Sequence, residues 1–206
     1  MNIPVVYEDN WLLVVNKPSG LLTIPAPKKD RRTLLKILND DLKKRRLTYR
    51  LHSCHRLDRE TSGLIIFAKG KAIQKRMMQE FKKKMVTKTY ITFVQGRLSK
   101  NRGWIRNPVW GKSALTRYQV LQRFTDFSVV KVQPLTGRKN QIRLHFKQIR
   151  HPVLGEDRFV FRRDYKLKAK RLCLHAQQLD FSHPVTKEPI HLETELPEYF
   201  RRLTRT

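Results

Sequence analysis

Acidic side chains are scarce. The 206-residue chain sets 17 Asp and Glu against 45 Lys and Arg, a formal net charge of +28 at pH 7. A surface this one-sided repels itself and draws polyanions, so nucleic acid is the expected partner. Cysteine is nearly missing as well. Cys54 and Cys173 make neither a disulfide framework nor a zinc spacing, which suits a reducing cytoplasm and leaves both as packing residues. Apolar runs such as LIIFA at 64–68 fall far short of the roughly 20 residues that span a bilayer. The opening MNIPVVYEDN lacks the positive-then-apolar order of a secretory signal, and no basic helix with Trp or Leu opposite suggests a membrane-surface protein. Gly/Ser linkers and internal repeats are absent too. The 39% of hydrophobic residues suffices for one domain over residues 1–206.

The apolar pattern outlines its elements. PVVYEDNWLLVVN (4–16) predicts two short strands around an acidic turn, followed by the NKPSG turn at 16–20. Leu34, Leu35, Leu38 and Leu42 recur at helical spacing within 31–46, and SGLIIFAK (62–69) reads as a buried strand. Within KAIQKRMMQEFKKKM (71–85), Ile73, Met77, Phe81 and Met85 stripe one helix face as core. TKTYITFVQG (87–96) alternates as a half-exposed strand, and 101–114 reads as a connection broken by Gly103, Pro108 and Gly111. A hairpin over 115–135, a helix in NQIRLHFKQI and short strands over 171–196 complete an α+β fold with an antiparallel-rich sheet.

Several chemical motifs fail on spacing. Gly111-Lys112-Ser113 has Arg106 where a phosphate loop needs its first glycine. His52, Cys54 and His55 lack a second ligand pair, and His175, His183 and His191 sit eight apart, so no metal is expected. Ser62-Gly63 lacks the upstream glycine of a nucleophile elbow. CHRLDRETSGLI, 54–65, is different: Asp58 sits between Arg56 and Arg59 at the mouth of a strand. It reads either as a structural ion pair or Asx-type turn with Thr61 and Ser62 capping, or as an ionised carboxylate able to attack or stabilise a sugar centre. Local residues leave both open.

That stretch resembles the H-R-L-D-x-x-T-S-G signature of the RluA-type pseudouridine synthases. VVYEDNWLLVVNKPSGLL (5–22) is similar to the family's opening strand and N-K-P-x-G turn, VTKTYITFVQG (86–96) to its K-x-Y strand, and KSALTRYQVL (112–121) to its T-x-Y segment. LTGRKNQIRLHF (135–146) resembles T-G-R-x-x-Q-I-R-x-H, and HPVLGEDRF and RLCLHAQQLDFSHP match the blocks that follow. The blocks keep family order over about residues 5–197.

The resemblance implies a mixed, mostly antiparallel sheet flanked by helices and loops around a central RNA-binding cleft. It also implies isomerisation of uridine to pseudouridine in RNA without metal or cofactor. Asp58 is then the catalytic carboxylate, Arg143 its ion-pair partner, and Tyr90 the residue that stacks on the base and takes the C5 proton. Arg56 contacts the backbone around the flipped nucleotide or fills the space that nucleotide vacates, with His55, Lys88, Arg138 and Lys17 as further RNA contacts. The basic runs KKDRR (28–32) and KKRR (43–46) are candidates for phosphate contact. After T-G-R the chain carries Lys139 and Asn140, where many relatives have a small polar residue and His. The match begins near residue 5, so no N-terminal S4 domain is expected, and the short branch acts on tRNA and in some cases rRNA stem-loops. A cytoplasmic monomer completes the expectation. Two rivals remain: an inactive RNA-binding or ribosome-assembly protein on the same fold, and a glycosidic hydrolase. The hydrolase wants a second carboxylate, for which Glu60 is poorly placed.

Overall fold

Runs of β-branched and aromatic residues bounded by turns set the strands, as a computed structural model describing residues 3–25, 32–160 and 167–204 shows. The chain divides into two compact units, residues 1–87 with 178–194 and residues 88–177 with 195–206.

In the first unit, strands β1 (Val5–Glu8), β2 (Leu12–Lys17) and β4 (Ser62–Lys69) pair in that order, all antiparallel, and short β3 (Leu51–Ser53) also pairs with β4. Strand β9 (Leu174–Ser182) enters this unit at its C-terminal end and pairs there with β10 (Pro189–Glu193). Residues 62–68 are buried on both sides of the pleat, as their nearly continuous apolar sequence requires. Leu12, Val14, Leu64, Ile66 and Met77 form the core with Leu179 and Phe181. The acidic turn is built on Asp9. Its carboxylate accepts the Trp11 and Leu12 amides and the Tyr7 hydroxyl, and faces His183 Nε2 at 3.0 Å. Burial, then that carboxylate, pushes the Tyr7 phenol up to about 12.

Two helices cover this unit. Thr33 caps α1 (Leu34–Lys44) by accepting the Lys36 amide, and Asn39 ties the helix to the Leu51 backbone through both its amide groups. Helix α2 (Lys71–Lys82) ends a turn earlier than its apolar stripe predicts. Lys84 takes φ +61°, which turns Met85 out to solvent, 57% exposed, while Met77 is fully buried. Of the basic runs, KKRR lies exposed at the end of α1, whereas KKDRR, apart from Arg32, lies outside the described residues.

The second unit orders its antiparallel strands β5 (Thr87–Gln95), β8 (Phe127–Pro134), β7 (Thr116–Arg123) and β6 (Arg102–Ile105), with helices α3 (Gln141–Gln148) and α4 (Glu198–Leu203). Two expectations are corrected here. Strand β5 is buried on both faces from Thr89 to Val94 rather than half-exposed, because Ile91 and Phe93 join Phe127, Val129 and Phe200 in an aromatic cluster on one side. The segment read as a connection holds β6. Gly103 is not a breaker there: it lies opposite Tyr118, and a Cβ at 103 would meet the tyrosine hydroxyl at 2.7 Å.

Candidate active site

The loop carrying Asp58 runs from the end of β3 to the start of β4, and the N-K-P-S-G turn holds it by its backbone. Lys17 ends β2, fully buried, and its ammonium donates to the carbonyls of Pro18 (2.9 Å), Leu21 (2.7 Å) and Arg59 (3.1 Å). The Gly20 amide also donates to the Arg59 carbonyl, and the Arg59 guanidinium returns a bond to the Gly20 carbonyl. The Ser19 hydroxyl donates to the Glu60 carbonyl at 2.6 Å. The buried Thr23 hydroxyl both accepts from the Leu57 amide and donates to the Leu57 carbonyl. Gly20 adopts φ +84°, a conformation that glycine alone takes without strain. Residues 57, 59 and 60 are thus pinned around half-buried Asp58, whose own carbonyl accepts the Thr61 amide.

This geometry overturns the expectation that Lys17 contacts RNA. The ammonium is fully buried and donates to three main-chain carbonyls. Its charge is used to fix the Asp58 loop. Lys17→Met keeps the stem and removes the donors, leaving buried acceptors unmatched at a cost of about 2–3 kcal/mol. Thermal melting should then show Tm lowered by about 4–10 °C, and an unchanged Tm would deny Lys17 this role.

The other basic residues of the motif divide. Arg56 is exposed, while the Arg59 Nε is spent on the turn. His55 is half-buried: its Nε2 accepts the Ile66 amide at 3.0 Å, and its ring packs on Phe81 at 4.8 Å. That bond requires an unprotonated Nε2 and aligns the loop with β4.

In the second unit, Tyr90 lies on β5 opposite Val132, only 9% exposed. Lys88, two residues before it, shares its face of the strand, and burial lowers the lysine's pKa from its ordinary value. Arg143 projects from α3 and is 1% exposed. It binds Glu156 through two parallel bonds, Nε to Oε2 at 2.6 Å and Nη2 to Oε1 at 2.7 Å, a fork that fixes the plane of the guanidinium. The Glu156 carboxylate further accepts the amides of Arg158 and Phe159. Sequence reasoning missed Glu156. A signal was there: between Glu80 and Glu156 the only acidic residue is Asp126.

The remaining motif residues orient this helix. Gln141 Oε1 accepts the Thr136 hydroxyl and the Arg138 amide, while its Nε2 donates to the Leu115 carbonyl and the Thr116 hydroxyl. His145 Nε2 meets the Asn107 carbonyl at 2.9 Å and so carries the proton, leaving Nδ1 to accept from Thr116 at 2.8 Å. Burial lowers the His145 pKa and keeps the ring neutral. Asn140 opens α3 at φ +56°, a left-handed conformation that asparagine tolerates. Arg138 stays exposed, its Nε anchored on the Ser113 carbonyl at 3.0 Å. Among the described residues no group of His, Cys, Asp and Glu is arranged to hold a metal ion.

Residues 11–148 match the family model described as RNA pseudouridylate synthase. The chain belongs to that family. It is 39% identical over 209 residues to "Dual-specificity RNA pseudouridine synthase RluA" of Yersinia pestis, covering 93% of this chain and 98% of that one. It is 35% identical to "Uncharacterized RNA pseudouridine synthase YlyB" of Bacillus subtilis, covering 96% and 70%. The solved structure "Human RNA Pseudouridylate Synthase Domain Containing 4" superposes with a TM-score of 0.80 at 25% identity, covering 98% of this chain and 92% of that one. The expected α+β pseudouridine synthase fold is therefore the observed one. The protein is an enzyme of this class, an isomerase acting on uridine in RNA.

Proposed function

We propose that the protein isomerises a uridine in a structured tRNA or rRNA stem-loop, with Asp58 as the catalytic carboxylate. The reaction is balanced within one nucleotide: the C1′–N1 bond breaks, a C1′–C5 bond forms, C5 loses a proton and N1 gains one. The chain's part is to meet the charge that develops on the sugar, to take the C5 proton and to hold an extruded base. Asp58 meets the sugar, Tyr90 takes the proton, and Arg143 holds Asp58 ionised. Arg56, Arg138 and Lys88 bind the RNA around the nucleotide. The observation that carries this reading is the matched family segment, 11–148, which contains every one of these residues. The loop that fixes Asp58 by its backbone supports it, since a carboxylate needs a preorganised mount to act on a transition state.

The word "dual-specificity" in the Yersinia pestis relative's name supports a range of more than one RNA target. No helix among the described residues is long and apolar enough to cross a membrane, and the reading places the enzyme in the cytoplasm as a monomer. Purified protein incubated with total tRNA and rRNA, without added metal or nucleotide, should form pseudouridine at discrete positions detected by carbodiimide mapping. No new pseudouridine in either pool would refute the proposal.

A further inference from the structure

A turn in the second unit carries a side chain that no motif above accounts for. Val109 and Lys112 exchange both backbone hydrogen bonds, at 2.9 and 3.1 Å, closing a two-residue turn whose centre is Trp110-Gly111. Both central residues have positive φ, +54° and +69°. Turns of this mirror-image kind favour Asn-Gly, and a bulky residue at the first position is strained. Strain of this sort persists where surrounding structure enforces it, and it concentrates where a side chain is needed.

The surroundings enforce it here. Val109 is buried beneath the turn, and the indole Nε1 donates to the Lys139 carbonyl at 3.1 Å, so the ring has a fixed orientation. Yet Trp110 is 60% exposed, the most exposed of the large apolar side chains among the described residues. It does not serve the core. The ring stands edge-on to Phe159 at 6.3 Å, and the guanidinium of Arg143 lies over the same Phe159 at 5.2 Å. One aromatic ring therefore separates Trp110 from the proposed catalytic arginine. Around it, Lys112, Arg138, Lys139 and Arg158 are exposed, and the only acid exposed nearby along these segments is Asp157.

We infer that Trp110 is a stacking platform for an unpaired base of the RNA near the target uridine, with the surrounding cations taking the adjoining phosphates. An exposed, oriented indole within a cationic rim has the chemistry of single-strand recognition, where each stacked base contributes substantially and phosphates supply the salt dependence. The inference rests on the reading of the protein as an enzyme of RNA, and it assigns Trp110 to substrate choice, not to bond making. RNAs whose target lies in a loop with a neighbour free to unstack should be preferred over fully paired ones.

The test compares Trp110→Asn, Trp110→Ala and Trp110→Phe in the full chain, with total tRNA as the probe. Trp110→Asn places the favoured residue in the turn, so Tm should equal or exceed wild type, while the dissociation constant should rise about 5- to 100-fold. Trp110→Ala should weaken binding by the same range, and Trp110→Phe should keep most of the affinity. With the modified RNA identified, KM should rise for the Asn and Ala variants while kcat at saturating RNA holds. A Tm loss of several degrees in Trp110→Asn would mark the indole as a structural strut and overturn the inference. So would unchanged RNA affinity, including the case in which the variants instead dissolve a dimer seen by sedimentation. Should wild-type protein form no pseudouridine, the functional reading fails separately, because the ratio of tRNA affinities still reports on Trp110.

Discussion

Asp58→Asn should leave the protein folded and binding RNA, and should lower pseudouridine formation by about 10³-fold or more. The substitution is nearly isosteric and removes a single charge, and the loop around it is held by its backbone. Lys17, Ser19, Gly20 and Thr23 grip the backbone at residues 57, 59 and 60. RNA affinity should stay near wild type, because the phosphate contacts come from cations elsewhere. Single-turnover measurements with saturating enzyme separate the two effects. Turnover retained at more than a tenth of wild type would remove Asp58 from the chemistry and leave it the structural turn that its local sequence also allowed.

The largest stability effect is expected at Glu156. Its carboxylate and the Arg143 guanidinium are both almost wholly buried, at 0% and 1% side-chain exposure. Removing one member breaks a buried, doubly bonded charge pair, so Glu156→Ala should cost about 3–5 kcal/mol and lower Tm by about 6–20 °C. The amides of Arg158 and Phe159 lose their acceptor in the same step. Replacing both members, Arg143→Met with Glu156→Met, should recover part of the stability, since an apolar pair leaves no stranded charge. It should not recover activity. Arg143→Lys keeps the charge but loses the fork, and should fall between wild type and Glu156→Ala in turnover. A Glu156→Ala protein melting like wild type would show that the pair carries no such energy.

These two sites were unequally legible in the sequence. Asp58 stood out because its neighbours form a contiguous block, and local order is what a linear reading captures. The strands were legible where apolar residues ran together, as in 62–69, and illegible where four residues sufficed, as in β6, whose Gly103 reads as a break until Tyr118 is laid across it. Helix α2 was overextended because an apolar stripe says nothing of the left-handed residue at Lys84 that ends it. Lys17 and Glu156 were misread or missed for a common reason. A lone charged residue in a basic chain looks like surface, and only the fold shows a buried ammonium among carbonyls or a buried carboxylate on an arginine. Scarcity was the available clue for Glu156: a carboxylate rare in its stretch of chain has a reason to be there.

The tie between Lys17 and the Asp58 loop has a further consequence for how the protein can vary. Three of the acceptors that the lysine engages are main-chain oxygens, which Pro18, Leu21 and Arg59 present whatever side chain they carry. The mount therefore asks for one particular residue at one end and only a backbone course at the other. A new side chain at position 59 gives up its own bond to the Gly20 carbonyl but keeps the lysine's grip on the carbonyl there, so the surface beside the aspartate can change while that part of its mount persists.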